Sequence, residues 1–259
     1  MNFFFVRLLF TNENLARERL KSRLKNMYAE SMLEDEVIDA LLTKFLRNDI
    51  TIALGTSEYA EKFLKNIALK ATENDFKIRV VPTSLKLATV CADLKLPIVS
   101  INDQEIDLAI EFASMVDTQF NYVKYETTSL IRDKMIAQSA AELIVVCKEK
   151  KYVKRIHGTI PFEVDSFGAD RTLLQLDEYG SAKFRLKPNG ERVSTESGNY
   201  IIDVHFDQIY SLEDLEYDTK NIPGVIETGL FLGYADRILL HNDKIRILSR
   251  IIKLEEEIE

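Results

Sequence analysis

The sequence is short of positive charge, cysteine, histidine, glycine and long apolar runs, and each shortage removes a class of function. Its 34 Lys and Arg face 42 Asp and Glu, a formal net charge of −8 over 259 residues. Nucleic-acid binding draws its affinity from neutralised phosphates, so this balance argues against a nucleic-acid partner and against an anionic membrane surface. Two cysteines, Cys91 and Cys147, give no disulfide framework and read as buried reduced thiols in a reducing cytoplasm. The histidines, His157, His205 and His241, are far apart in sequence from one another and from both cysteines. They show no metal-type spacing and read as structural or exposed. The opening "MNFFFVRLLF" is too short an apolar run to span a bilayer, and it lacks the basic lead and small-residue cleavage site of a signal peptide. A membrane role is disfavoured.

What is present is a chain able to fold. Hydrophobic residues make up 46% of it, enough to bury a sizeable core and to exclude disorder by composition. Residues 1–33 read as an N-terminal helical extension with a basic face, open between surface helix, oligomer contact and membrane-associating helix; Met27 and Met32 are alternative starts. From residue 34 the pattern alternates. "DEVIDALLTKFL", "EYAEKFLKNIALKA", "SLKLATVCADLK" and the segment across 128–142 have helical spacing. "ITIAL", "FKIRVVP", "LPIVS", "IDLAIEF" and "ELIVVC" read as strands. Val- and Ile-rich strands separated by helices predict a parallel sheet covered on both faces. After His157-Gly158 the order becomes βαββαβ, the split arrangement of ferredoxin-like domains. "GLFLGYADRILLHNDKIRIL" then returns to short β-runs that rejoin the first sheet, and "KLEEEIE" reads as a solvated helix end. The expectation is an α/β fold: a Rossmann-like, mostly parallel sheet domain (34–158 and 229–259) with an inserted ferredoxin-like α+β domain (159–228).

Several segments carry a family resemblance. "NIPGVIETGLFLGYADRILL" (221–240), "VPTSLKLATV", "LPIVSI", "IDLAI", "IRDKMIA", "ELIVVC" and "ESGNYIIDV" fall in the order and spacing of the ribose-5-phosphate isomerase A family, which the chain resembles over roughly residues 34–250. The resemblance implies an aldose–ketose isomerase that interconverts ribose 5-phosphate and ribulose 5-phosphate through an enediolate. It implies no metal and no other cofactor, a sugar or sugar phosphate as partner, and self-association. In that family a carboxylate moves a proton between C1 and C2 while a lysine steadies the oxyanion. A glycine-rich turn with Ser and Thr, plus a lysine, holds the phosphate.

Carried over position by position, the catalytic residues are Asp133, Lys124 and Glu111. Asp133 stands in Arg132-Asp133-Lys134 where the family has R-E-K, and Leu130, Ala137 and Ala140 share its helix face. Lys124 matches the lysine of K-G-x-G-G, followed here by Tyr125-Glu126-Thr127-Thr128. D-G-A-D-E reads Glu111-Phe112-Ala113-Ser114-Met115. The G-T-G-S-T-A turn reads Gly55-Thr56-Ser57-Glu58-Tyr59-Ala60, so Thr56, Ser57, Glu58, Tyr59, Ser114 and Lys151 are the substrate-binding candidates. Glu58 opposes a phosphate: a carboxylate about 5 Å away costs roughly 3 kcal/mol per pair of unit charges at an effective dielectric of about 20.

Plainer readings stand beside these. Lys124 and Asp133 also suit surface charges, Glu111 and Asp117 loop acids, and Thr56-Ser57 a helix N-cap with Glu58 in the first helical turn. Three functions stay open at this point: ribose 5-phosphate isomerisation, isomerisation of a less anionic sugar, and a non-catalytic relative used for assembly or ligand sensing.

Overall fold

The computed structural model describes residues 35–242 and 244–250. The expectations for the N-terminal extension and the charged tail lie outside them. The chain divides into two compact units, one reaching Phe45 and one starting at Leu46. In the first, residues 35–45 form helix α1, in which Val37, Ile38, Leu41 and Leu42 are buried along one stripe. No helix among the described residues is long and apolar enough to cross a membrane.

The second unit is built on a six-stranded sheet. Its strands are β1 (Ile50–Leu54), β2 (Ile78–Pro82), β3 (Leu108–Phe112), β6 (Leu143–Lys148), β13 (Arg237–His241) and β14 (Ile245–Ser249), in the order β14-β13-β6-β3-β1-β2. All neighbours pair parallel except the edge strand β14. Every residue of β1 is buried, as a strand covered on both faces requires. Helices α2 (Ala60–Asn74), α3 (Leu85–Asp93) and α4 (Leu130–Ser139) belong to its crossovers. Phe63, Leu64 and Ile67 form the buried stripe of α2. Ser84 and Ser129 cap α3 and α4 by accepting from the amides of Leu87 and Arg132, which sets where each helix starts.

A second sheet has the order β11-β8-β10-β9, formed by β8 (Gly158–Val164), β9 (Ser181–Phe184), β10 (Tyr200–Phe206) and β11 (Val225–Thr228). All its pairings are antiparallel. With α5 (Ala169–Leu176) and α6 (Leu212–Lys220), this is the ferredoxin-like arrangement expected from the sequence. It has its own core, which includes Ile160, Phe162, Leu176, Ile202 and Val204.

A third sheet was not expected. Strands β4 (Met115–Asp117), β5 (Tyr122–Val123), β7 (Tyr152–Val153) and β12 (Leu230–Phe231) pair in the order β12-β5-β4-β7. At two or three residues each they are too short to show a period. Conversely, the strand expected at "LPIVS" is only an isolated bridge, Val80 to Ile98: one ladder contact fixes the segment beside β2 and no run of pairing follows.

Helix α4 is fixed at its N-terminus by a residue of the second sheet. The fully buried Glu163 of β8 accepts from Ser129 Oγ at 3.2 Å and from the Ile131 amide at 3.1 Å. It also accepts from Thr195 Oγ1 at 2.8 Å and Asn199 Nδ2 at 3.0 Å. These donors and the helix N-terminus satisfy the buried carboxyl oxygens without a cation. Glu163→Ala strands all of them, so we expect urea unfolding to show a loss of about 3–5 kcal/mol, with Glu163→Gln losing less. A loss under about 1 kcal/mol would mean that this joint does not hold the helix.

Candidate active site

The order β2-β1-β3-β6-β13 reverses direction between β1 and β3, and open α/β sheets bind ligands at the carboxyl ends of the strands flanking such a switch point. Gly55 and Thr56 follow β1 there, and Phe112 to Ser114 end and follow β3. A cavity of about 510 Å³ lies at this end of the sheet. Ser57, Glu58, Tyr59, Ser114 and Lys151 all line it.

Beside the cavity three charged side chains meet. Lys124 Nζ donates to Glu111 Oε2 at 2.5 Å and to the Thr56 carbonyl at 2.7 Å, and it lies 3.8 Å from Asp133 Oδ2. All three side chains are 0% exposed, so the readings of Lys124 and Asp133 as surface charges fail. Glu111 sits within β3, not in a loop. Asp117 is elsewhere: its carboxylate accepts from the amides of Gln119 and Asn121 and holds the β4–β5 turn.

Asp133 is held tightly. Its Oδ1 accepts from the Thr56 amide at 3.0 Å and Thr56 Oγ1 at 3.2 Å, and its Oδ2 from Thr127 Oγ1 at 2.7 Å. Thr56 Oγ1 also meets Thr128 Oγ1 at 3.1 Å. Thr56 therefore belongs to the charged cluster, not to the cavity wall. It does not cap α2, which begins at Ala60 after Tyr59, a residue with no side-chain cap bond. Ser57 Oγ accepts from the Tyr59 amide and so shapes the turn before the helix, with Glu58 in that turn instead of the first helical turn.

Glycine is required at Gly55 by this cluster. A Cβ there would sit 2.1–2.3 Å from the Glu111 carboxyl atoms, and that carboxyl is pinned by Lys124. The carboxyl's environment sets its proton affinity. Burial pushes Glu111 up, Lys124 pulls it back and Asp133 pushes it up again, leaving it at about 8. Burial lowers Lys124, but Asp133 and Glu111 together outweigh burial and raise it. Burial thus works against an ionised Glu111 beside the Lys124–Asp133 pair, and Glu111 Oε1 is buried and makes no hydrogen bond. Nearby, burial and then the two acids push the Tyr122 phenol well above its ordinary value.

Residues unseen in sequence complete the site. Thr127 and Thr128 supply hydroxyls from the loop that replaces the family's glycines. Tyr125 is tied down by the second sheet: Arg185 stacks 4.2 Å from its ring and donates to its carbonyl, and its hydroxyl donates to Asp203. The three histidines, read as unrelated, all line the one cavity. No sequence spacing announces that meeting. Cys147 lines it too, an unpaired buried thiol that burial pushes up to about 12. Among the described residues no group of three or more His, Cys, Asp or Glu is placed to hold a metal ion.

The family pattern described as ribose 5-phosphate isomerase A (phosphoriboisomerase A) matches residues 79–244. The chain belongs to this family. The ribose-5-phosphate isomerase A of Picrophilus torridus is 33% identical over 197 residues, covering 75% of this chain and 87% of that one. The bifunctional ribokinase/ribose-5-phosphate isomerase A of Fructilactobacillus sanfranciscensis is 30% identical over 214 residues, covering 82% of this chain but only 40% of that longer protein. Among solved structures, the ribose 5-phosphate isomerase A of Methanocaldococcus jannaschii superposes with a TM-score of 0.78 at 26% identity, covering 85% of this chain and 99% of that one. The α/β fold of this chain, with its mostly parallel central sheet, is thus the fold of the ribose-5-phosphate isomerase A family.

The perturbed Glu111 makes stability depend on pH in a stated direction. Its folded value, about 8, lies above its ordinary 4.5. Its contribution is therefore full below pH 4.5 and is lost as pH rises through about 8. Glu111→Gln stays neutral and leaves Asp133 as counter-ion to Lys124. We expect the variant's unfolding midpoint to gain on the unmodified protein steadily across that window. A difference that is flat with pH would show that the carboxyl is not perturbed.

Proposed function

We propose that this protein interconverts ribose 5-phosphate and ribulose 5-phosphate, with Asp133, Lys124 and Glu111 as its catalytic residues. One observation supports this most: residues 111, 124 and 133, distant in sequence, form one contiguous charged cluster at the switch point, against a cavity of about 510 Å³. In the open-chain aldose the Asp133 carboxylate takes the proton from C2, and the electron pair moves through C1 to O1. The negative charge that develops on oxygen is met by the Lys124 ammonium, a preorganised cation in a dry site. Asp133 then returns the proton to C1 as the O2 proton passes to O1, giving the ketose with no net gain or loss. Glu111, whose carboxyl burial pushes toward its protonated form, supplies the proton for ring opening. Ser57, Tyr59, Ser114 and Lys151 contact the sugar phosphate across the cavity. Because the cluster is sealed from solvent, turnover requires it to open to the substrate.

A second reading, a non-catalytic relative serving assembly or ligand sensing, is favoured by one observation. Both Asp133 oxygens are already engaged by Thr56 and Thr127, as suits a structural anchor. Glu58 and Glu126 on the cavity wall favour a less anionic sugar as the alternative substrate. The proposal includes self-association, supported by the family resemblance, and a reducing cytoplasm, supported by two buried unpaired thiols.

The test is formation of ribulose 5-phosphate from ribose 5-phosphate by the purified chain. The expected outcome is turnover that Asp133→Asn reduces by about 10²–10⁴-fold. No conversion above a buffer blank would remove the proposal.

A further inference from the structure

All of the chain's histidines, three in number, face one cavity, and the strand registers show how they come together. His241 ends β13 directly opposite Lys148, the last residue of β6. Thr159 and His205 are partners across β8 and β10, and Thr159 Oγ1 lies 3.1 Å from His205 Nδ1. His157 immediately precedes β8. Two sheets thus bring imidazoles to the same space, and the short 3-10 turn Glu149–Lys151 adds Lys151.

The same cavity carries its negative charge on other segments. Glu58 comes from the turn before α2 and Glu126 from the segment before α4. Near the imidazoles, Asp207 lies 3.9 Å from His205 Nε2 but is fully exposed, and Glu149 is paired with Arg246. The wall where the family's serine-threonine turn stands is therefore acidic at Glu58, while the wall made by the ends of β6, β8, β10 and β13 is rich in nitrogen.

We propose that the phosphate of a sugar phosphate is held by His157, His205, His241, Lys148 and Lys151, and not by the 55–60 turn. This rests on the reading of the cavity as a sugar-phosphate site, and it assigns the anionic end of the ligand to a different wall. The chemistry suits a phosphate. Imidazolium and ammonium groups make charge-assisted hydrogen bonds to phosphate oxygens. The 3.1 Å contact between His157 Nδ1 and the Arg155 carbonyl makes Nδ1 the protonated nitrogen, donating to that carbonyl, because a carbonyl only accepts. Nε2 of His157 then donates to a ligand only when the ring takes a second proton.

Inorganic phosphate is the probe, titrated into the full chain and followed through the imidazole C2–H proton resonances, of which the chain has only three. The expected result is a downfield movement of these signals on saturation. In calorimetry, His157→Gln/His205→Gln and, separately, Lys151→Met each weaken phosphate binding by about tenfold or more, while binding of uncharged ribose is retained. All three substituted side chains are exposed, and a thermal melt of each variant confirms that it is folded. Stationary imidazole signals, unchanged affinity in the histidine variant, or phosphate binding lost in Ser57→Ala but kept in the histidine variant would overturn the assignment. Phosphate bound as expected without turnover sinks only the isomerase reading; turnover of ribose 5-phosphate untouched by the histidine changes sinks only this one.

Discussion

Two carboxyl groups and one ammonium buried together dictate much of how this molecule is put together. A buried ion is expensive, and its attraction to a partner repays the cost only where geometry and further hydrogen bonds are good. Here Lys124 reaches Glu111 and the Thr56 carbonyl directly, and Asp133 takes donors from Thr56 and Thr127. Burial also favours the protonated form of Glu111, which brings the cluster toward neutrality where there is no solvent contact. Gly55 then follows as a necessity, since the carboxyl occupies the space where a side chain would begin. Gly229 is required for a different reason: its carbonyl accepts from the Lys124 amide and its amide donates to the Pro161 carbonyl, and a Cβ there would run into the Pro161 ring.

Helix α4 ties the cluster to the rest of the fold. Asp133 points into the first sheet's switch point. The next residue, Lys134, is also buried and pairs with Glu216 at 3.0 Å and Glu227 at 2.7 Å, on α6 and β11. Burial works to raise the Glu227 carboxyl, but Lys134 beside it outweighs that and holds it below its ordinary value. Successive residues of one helix are thus committed to different sheets, and Glu163 fixes the helix at its start. The small sheet is in this way part of what positions Asp133, although none of its strands carries a member of the charged cluster.

The long, regular elements were legible because their chemistry is local. "ITIAL" and "ELIVVC" are runs that only a covered strand explains, and the βαββαβ order from residue 158 to 228 predicted the second sheet. The spacing 111, 124, 133 was enough to single out the cluster through the family pattern, and Leu130, Ala137 and Ala140 correctly turned Asp133 inward. Other features are products of tertiary structure. Strands such as Tyr122–Val123 have no period to read, and the value of Glu163 lies in donors found near residues 129 and 195–199. Thr127 and Thr128 looked like lost glycines and proved to be hydrogen-bond donors. The histidines at 157, 205 and 241 meet only because β8 starts, and β10 and β13 end, beside one cavity. Glu58 was expected in a helix's first turn, but the turn around Ser57 delays the helix to Ala60.

The central claim is that Glu111, Lys124 and Asp133 form a single coupled unit in the core. A double-mutant cycle on Lys124→Met and Glu111→Gln, read by urea unfolding at neutral pH, tests it most directly. Lys124→Met alone leaves Asp133 buried without its cation and should cost about 3–5 kcal/mol. Combined with Glu111→Gln, the cost should depart from the sum of the two single changes by about 0.5–3 kcal/mol, as expected of groups in contact. Effects that add to within about 0.3 kcal/mol would contradict the account, because independent groups behave that way.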